Sequence, residues 1–468
     1  MFEQVLIANR GEIARRVIRT CKRLGIKTVA VYSEADQHAL HVQEADSAYY
    51  IGGAKVSESY LNMEAIIKVA KQTNADAIHP GYGLLSENAA FAERCRSEGI
   101  AFIGPSAQVI QQMGNKIEAR KTMEQAGIPI VPGVSAPLHD ADEGVHKAQT
   151  LGYPIMLKAS SGGGGIGMQL VRNDEELHRA FEGNQKRAQS FFQDGTLYME
   201  KVIEHARHIE IQVLFDSFGH GVHLFERDCS LQRRHQKIVE EAPAVCLEET
   251  VRQQMGQMAV KAAKAIGYEN AGTIECLVDQ NQQFYFLEMN TRLQVEHPVT
   301  EEITGIDLVE EQLKIAALEP LSFSQEDIHQ IGHAIEVRIY AEDPVTFYPS
   351  PGTITRLSTP DAPYIRHESS VTSGSVITPF YDPMIAKMIV YGDTRKLAIE
   401  RLKAALQAYE IEGIKTNVPL LKEMAESTAF LHGRITTDYL MKKGRKTVHE
   451  NCHDTNGRKL MEASCETG

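Results

Sequence analysis

The stretch that most constrains this chain is Gln283-Phe-Tyr-Phe-Leu287 with the residues after it, Glu288-Met-Asn-Thr-Arg-Leu-Gln-Val-Glu-His-Pro298. The aromatic and apolar run reads as a buried strand. If the backbone stays extended past Leu287, side chains alternate between faces. Glu288, Asn290, Arg292, Gln294 and Glu296 then point one way, and Met289, Leu293 and Val295 the other. Upstream, Ala271-Gly-Thr-Ile-Glu-Cys-Leu-Val278 reads as a second strand, with Asp279-Gln-Asn-Gln282 as the turn. A hairpin centred between Asn281 and Gln282 sets Glu275 opposite Glu288. Like charges facing each other destabilise a sheet. A cation between them removes the conflict, and Mg²⁺ takes one or two carboxylates together with phosphate oxygens. The pairing requires an even-numbered loop, because an odd one shifts it. The competing reading is a half-exposed strand with alternating charges.

The 468 residues leave room for about three domains. A hydrophobic share of 43% and a charged share of 24% place the chain among soluble globular proteins. The net charge of -13 argues against nucleic acid or an anionic membrane as a bulk partner. The 7 cysteines are scattered, with neither a C-x-x-C pair nor metal spacing, which points to a reducing compartment such as the cytoplasm. Met1-Phe-Glu-Gln-Val-Leu-Ile7 carries an early acid and begins a strand, unlike a signal peptide. No apolar run reaches the ~20 residues of a membrane span.

Val5-Leu-Ile-Ala8 reads as a strand, Asn9-Arg-Gly11 as a tight turn, Glu12 to Leu24 as a helix and Lys27-Thr-Val-Ala-Val-Tyr32 as the next strand. This alternation opens a doubly wound α/β domain. A dinucleotide fingerprint needs three spaced glycines, and Gly11 stands alone there, although Glu34 and Asp36 follow the second strand. Ala75-Asp-Ala-Ile-His-Pro-Gly-Tyr-Gly83 repeats the strand-to-glycine turn, followed by Leu84-Leu-Ser-Glu-Asn88, and Gly104-Pro-Ser106 closes the domain.

Pro154-Ile-Met-Leu-Lys-Ala159 is a strand with a lysine near its end. Ser160-Ser-Gly-Gly-Gly-Gly-Ile-Gly-Met168 follows, then Gln169-Leu-Val-Arg172, so the glycines join two strands. The run is not G-x-x-x-x-G-K-[ST] and opens no helix, so it is not a Walker loop. Consecutive glycines let backbone N–H groups approach phosphates and form a flap that shuts out water; a floppy hairpin is the alternative. Ala206-Arg-His-Ile-Glu-Ile-Gln-Val-Leu214 is a clear strand with His208, Glu210 and Gln212 on one face. Arg227, Arg233, Arg234 and Lys237 crowd one short stretch, which by itself reads as a solvated or nucleic-acid-binding loop, although the acidic chain counts against nucleic acid. In Gly332–Pro344, Ile335, Val337 and Ile339 alternate with Glu336, Arg338 and Tyr340. Residues Lys442 to Gly468 are polar with little period and read as a disordered or frayed tail.

The string Glu288–Pro298 resembles the signature of biotin carboxylases, the ATP-grasp component of biotin-dependent carboxylases. Asn9-Arg-Gly-Glu-Ile-Ala-Arg-Arg16 and Glu226–Pro243 extend the likeness, which runs from Met1 to about Leu440. It implies an α/β chain with a doubly wound N-terminal domain (1–113), an ATP-grasp domain (114–331) with a glycine-rich lid at about 132–203, a mixed C-terminal domain (332–441) and the tail (442–468). It implies ATP contacts at Lys116, Lys158, Gly164, Gly165, Glu200, Lys201, Val202, Ile203, His208, Gln232, His235, Glu275 and Glu288. It places Mg²⁺ or Mn²⁺ on Glu275, Glu288 and Asn290, and bicarbonate and biotin at Lys237, Arg292, Gln294, Val295 and Arg338. Glu296 is then the base on bicarbonate, Arg338 stabilises the biotin enolate, and Arg16 helps to position the bicarbonate or biotin region; a solvated helix arginine is the other reading of Arg16. Ser161 and Ile166 depart from the family's glycine and arginine in the loop, and Tyr340 and Pro383 are atypical. Cys229 lies near this chemistry, and a buried thiol is its default reading.

Ala386-Lys-Met388 lacks the methionine that precedes a biotin-acceptor lysine. Biotin is therefore expected on a separate biotin carboxyl carrier protein, with a separate carboxyltransferase choosing the acyl-CoA or other acceptor. The resemblance also implies a homodimer. Two rival readings remain. A different ATP-grasp ligase joining a carboxylate to an amine need not combine Lys237, Arg292, Gln294, Glu296 and Arg338. A nucleotide-binding regulatory homologue is expected to lose a metal acid or Glu296, and all are present.

Overall fold

The computed structural model describes residues 1–161, 167–233 and 235–442. β1 (Gln4–Ile7), β2 (Lys27–Ser33), β3 (Ser47–Gly52), β4 (Ala77–His79) and β5 (Ala101–Phe102) form a parallel sheet in the order β3-β2-β1-β4-β5. α1 (Gly11–Arg23) is the first crossover, entered through Gly11 at φ 68°, an angle that favours glycine. It buries Ile13, Val17 and Cys21 against Val5 and Ile7, while Leu6, Ala8 and Val31 pack with Ile66 and Phe91 on the other face. Burial on both faces is why these strands read as unbroken apolar runs. This is the doubly wound start that the sequence implied.

β6 (Gly133–Leu138), β7 (Ile155–Ala159), β8 (Met168–Val171) and β9 (Leu197–Lys201) make a separate antiparallel sheet, ordered β6-β9-β7-β8, with a core of its own around Leu157, Leu177, Phe181 and Met199. The glycine loop joins β7 to β8 as expected; Gly164, Gly165 and Ile166 lie outside the described residues, as do Arg234 and 443–468 of the tail. α2 (Lys116–Gln125) lies between this sheet and the main one, capped by Asn115, whose side chain accepts from the Ile117 and Glu118 N–H groups.

The main sheet comprises β10 (Arg207–Phe215), β11 (Gly221–Arg233), β12 (Gln236–Ala242), β13 (Asn270–Val278), β14 (Phe284–Asn290), β15 (His333–Tyr340), β16 (Ile365–Ser369) and β17 (Met384–Gly392). Their order is β14-β13-β10-β11-β12-β15-β17-β16, antiparallel throughout. β12 pairs with β15, so Lys237 and Arg338 stand on neighbouring strands.

Three expectations change here. The β13–β14 turn slips near its tip, where Val278 faces Phe284 and Cys276 faces Phe286; an extra residue at Leu287 then shifts the register back, and Glu275 faces Glu288 after all. The right pair thus arises through a bulge rather than an even loop. Second, β14 ends at Asn290, so the row is not one extended strand: the segment after it is irregular up to α3 (His297–Thr304), which has Pro298 in its first turn. Third, the basic stretch is not a solvated loop. It is the β11–β12 hairpin, with Arg227 fully buried on Glu210 and Arg233 paired with Glu342. Arg16 is buried too, held by Glu301 at 2.8 Å and Asp307 at 2.7 Å, and does not line the cleft.

Candidate active site

Facing residues of antiparallel strands share a face. Arg227, Glu210, Glu275 and Glu288 therefore form one row across β11, β10, β13 and β14. Three carboxylates in line need cations, and the structure supplies them. Lys237 Nζ donates to Glu210, to Glu275 at 2.8 Å and to Glu296 at 2.6 Å. Lys116, at the start of α2, donates to Glu288, and His208 Nε2 lies 3.1 Å from Glu275. Arg338 donates to Glu240 at 2.6 Å and to Glu296 at 2.9 Å. Arg292 donates to Glu87 at 2.8 Å and to Asn290 and Gln294, both at 3.0 Å, and Gln294 in turn donates to Glu275 at 3.2 Å.

These contacts set the charges. Burial pushes the Glu296 carboxyl up, but Lys237, Arg338 and Arg227 outweigh it and hold it well below the usual carboxylate range. Burial likewise works against ionised Glu275, and Lys237 and His208 outweigh it. Burial and the nearby Glu296 raise Glu210 instead. Burial lowers Lys237, but its three acids carry it well above the lysine range. Burial lowers His235, reinforced by Lys158 and His208. Burial pushes the Cys229 thiol up, which leaves it unreactive, as its default reading has it.

The row opens onto a cleft of about 1590 Å³ between the N-terminal body, the four-stranded sheet and the main sheet. Lys116, Lys158, Glu200, Lys201, Val202, Ile203, His208, Gln232, His235, Lys237, Glu275, Glu288, Asn290, Arg292, Gln294, Val295 and Arg338 all line it. Glu296 does not; it lies fully buried beneath Lys237 and Arg338. Sequence reasoning left out Glu87, Tyr82 and the apolar Met168, Leu277 and Leu287 of the lining, the last three suited to the flat face of a base, and also Glu210, which is fully buried and accepts from Lys237. Glu210 was legible as one of three polar residues on β10, but its alignment with Glu275 needs the register of two strands. Glu87 accepts from the Thr291 N–H at 3.0 Å as well as from Arg292, a contact between residues two hundred positions apart that no local pattern signals.

The family model "Biotin carboxylase, N-terminal domain" matches residues 1–110, and "Biotin carboxylase C-terminal domain" matches 336–442. Between them, 115–324 match "Carbamoyl-phosphate synthase L chain, ATP binding domain". The chain belongs to the biotin carboxylase family. It is 67% identical over 440 residues to biotin carboxylase 2 of Bacillus subtilis (strain 168), covering 94% of this chain and 99% of that one. The biotin carboxylase of Haemophilus influenzae is 53% identical over 444 residues, with 95% of this chain and 99% of that one covered. A solved biotin carboxylase domain dimer of Hydrogenobacter thermophilus 2-oxoglutarate carboxylase, in complex with MgADP, ADP and bicarbonate, superposes with a TM-score of 0.93 at 50% identity over 95% of this chain and 98% of that one. Among the described residues no helix is long and apolar enough to cross a membrane.

Proposed function

We propose that the cleft binds MgATP and bicarbonate and uses them to carboxylate biotin presented on a separate carrier protein. The observation that carries this reading is the convergence of Lys237 and Arg338 on buried Glu296, beside an acid row suited to a divalent cation. Glu275, Glu288 and the Asn290 side-chain oxygen are hard oxygen donors and would hold Mg²⁺ or Mn²⁺. They fit: Glu275 and Glu288 stand opposite each other, and Asn290, two residues further along β14, presents its side chain on the same face. Bound there, the ion supplies positive charge to the phosphoryl group being transferred.

A bicarbonate oxygen attacks the γ-phosphorus, the bond to the β-phosphate oxygen breaks, and carboxyphosphate forms as ADP leaves. Glu296 takes the bicarbonate proton. Its oxygens accept from Lys237 and Arg338, which makes it a weak base. An arriving anion draws those two cations onto itself, and Glu296 becomes more basic at the moment a proton must be taken. Carboxyphosphate then loses its C–O bond to give CO₂ and phosphate. Phosphate accepts the ureido proton of biotin, Arg338 stabilises the resulting oxyanion, and the nitrogen attacks CO₂. Lys116, Lys158, His208 and the β9 edge at Glu200–Ile203 receive the nucleotide, with Gln232 and His235 beside it. The carrier, a carboxyltransferase and a second copy of this chain complete the assembly.

The test is ADP release from MgATP and bicarbonate, with and without free biotin. Bicarbonate-dependent release that rises with biotin and yields carboxybiotin is the expected result. Nucleotide binding with neither dependence would move the reading to the acid–amine ligase or the regulatory homologue.

Glu87 provides a second check. Its carboxylate holds both Arg292 and the start of the Thr291–Glu296 segment. Glu87→Ala is expected to raise the KM for bicarbonate by about 3- to 10-fold, the scale of one charge-assisted contact, and to leave the KM for ATP unchanged. A rise in the ATP value alone would contradict the placement of bicarbonate at Arg292.

A further inference from the structure

Arg120 is among the largest fully buried side chains, and it does not line the cleft. It follows Lys116 by one turn of α2, on the same face. Its guanidinium donates to Glu200 Oε1 at 2.6 Å, to the Val131 carbonyl at 2.8 Å and to Ser135 Oγ at 3.3 Å. The other Glu200 oxygen takes Lys158 Nζ. Arg120, Glu200 and Lys158 are 1%, 2% and 6% exposed, so one buried carboxylate serves two buried cations. Lys158 is the cation that faces the cleft.

We propose that Arg120 is a positioning residue for the nucleotide's phosphates: it stays on Glu200, so that Lys158 can leave that carboxylate for an incoming phosphate. The physical problem it solves is the stranded anion. Lys158 cannot hold Glu200 and a phosphate with full strength at once. If Lys158 were the sole partner, its departure would leave Glu200 ionised and unpaired at a nearly buried site, and such a carboxylate takes up a proton instead. With Arg120 in place one ion pair persists and only the second changes partner. The anchoring suits this role. Val131 and Ser135 fix the guanidinium at the root of the four-stranded sheet, independent of Lys158. Gly133, opposite Glu200 on β6, allows the close approach: a Cβ there would stand 2.9 Å from Glu200 Cα. The other charged or titratable groups around this carboxylate are Lys116 on α2, Tyr198 on its own strand and Glu288 on β14, with His235 close to Lys158.

The inference rests on the cleft's being a MgATP site, and the experiment separates the two. MgADP binding to the full chain is measured by calorimetry in buffers of different ionisation enthalpy, at about pH 6.5 and about pH 8, so that proton uptake is counted directly. Arg120→Met is expected to bind about 10-fold more weakly than the unmodified chain at the higher pH and to take up close to one extra proton per site. The affinity ratio narrows at the lower pH, because a proton is then easier to recruit. Adding Glu200→Gln to that variant abolishes the extra uptake, and Arg120→Lys keeps the original proton count. Arg120→Gln, which retains hydrogen bonding without charge, should behave like Arg120→Met and serves if that variant does not fold. An unchanged proton count with a pH-independent affinity ratio would overturn the proposal and leave Arg120 a scaffold residue. Failure of the unmodified chain to bind MgADP would instead overturn the MgATP reading.

Discussion

Glu288→Gln is expected to lower bicarbonate-dependent ATP turnover by about 10³-fold or more, the scale of losing a charged group that acts on the transferred phosphoryl. The change keeps the shape of the side chain and removes its charge. Glu288 faces Glu275 across β13–β14 and is bonded to Lys116 at the start of α2. Of the two acids it has the simpler surroundings, since Glu275 also holds Lys237, His208 and Gln294. Glu288→Gln therefore tests the cation site with little disturbance of the bicarbonate side. It leaves Lys116 without its partner, but both side chains keep partial access to water, 17% and 29%, so the folding cost is small. A melting temperature within a few degrees of the unmodified chain, together with lost turnover, is the expected pair of results. Unaltered turnover would sink the assignment of Glu288 to the metal.

The acid pair shows how far the sequence could be read and where it stopped. Local alternation and composition predicted two strands, and the strands exist. The facing of Glu275 and Glu288 followed from symmetry about a turn, and the actual turn does not have that symmetry. A bulge at Leu287 compensates. Bulges answer to twist and packing on the neighbouring strand, which a single sequence does not display. The polar row after Asn290 was read as extended, yet Arg292, Gln294 and Val295 reach the cleft from an irregular segment. That segment is held by Glu87 at one end and at the other by fully buried Lys387, which donates to the Val295 carbonyl. Neither interaction has a local signature. The basic stretch erred in the opposite direction. Four cations close in sequence suggested solvent, because the acids that hold Arg227, Arg233 and Lys237 (Glu210, Glu275, Glu296 and Glu342) come from other strands and loops. Charge compensation in this site is almost wholly non-local, so the family resemblance, rather than periodicity, supplied most of the site residues.

Arg338→Ala is expected to lower biotin carboxylation by about 10²- to 10³-fold and bicarbonate-dependent ATP hydrolysis by less than about 10-fold. Arg338 lies on β15, beyond Lys237 from the nucleotide side of the row, and it donates to the buried acids Glu240 and Glu296. Lys237 still holds Glu296 when Arg338 is gone. The remaining difficulty is Glu240, a fully buried acid whose pKa burial already raises to about 7 against the pull of Arg338. Without the guanidinium it rises further, and Glu240 becomes neutral at neutral pH instead of repelling Glu296. The sign of the stability effect follows. A raised carboxyl favours the folded state at low pH and loses that contribution as pH climbs toward the folded value. Below about pH 7 Glu240 is protonated in both folded proteins, and this group adds no difference between them. Above it, the variant keeps losing stability after the unmodified chain has levelled off. The gap in melting temperature should therefore widen from mildly acid to mildly alkaline buffer, on top of a constant part from the hydrogen bond that Glu296 no longer accepts. A gap independent of pH would remove Glu240 from this account, and equal losses in the two activities would remove Arg338 from the biotin step.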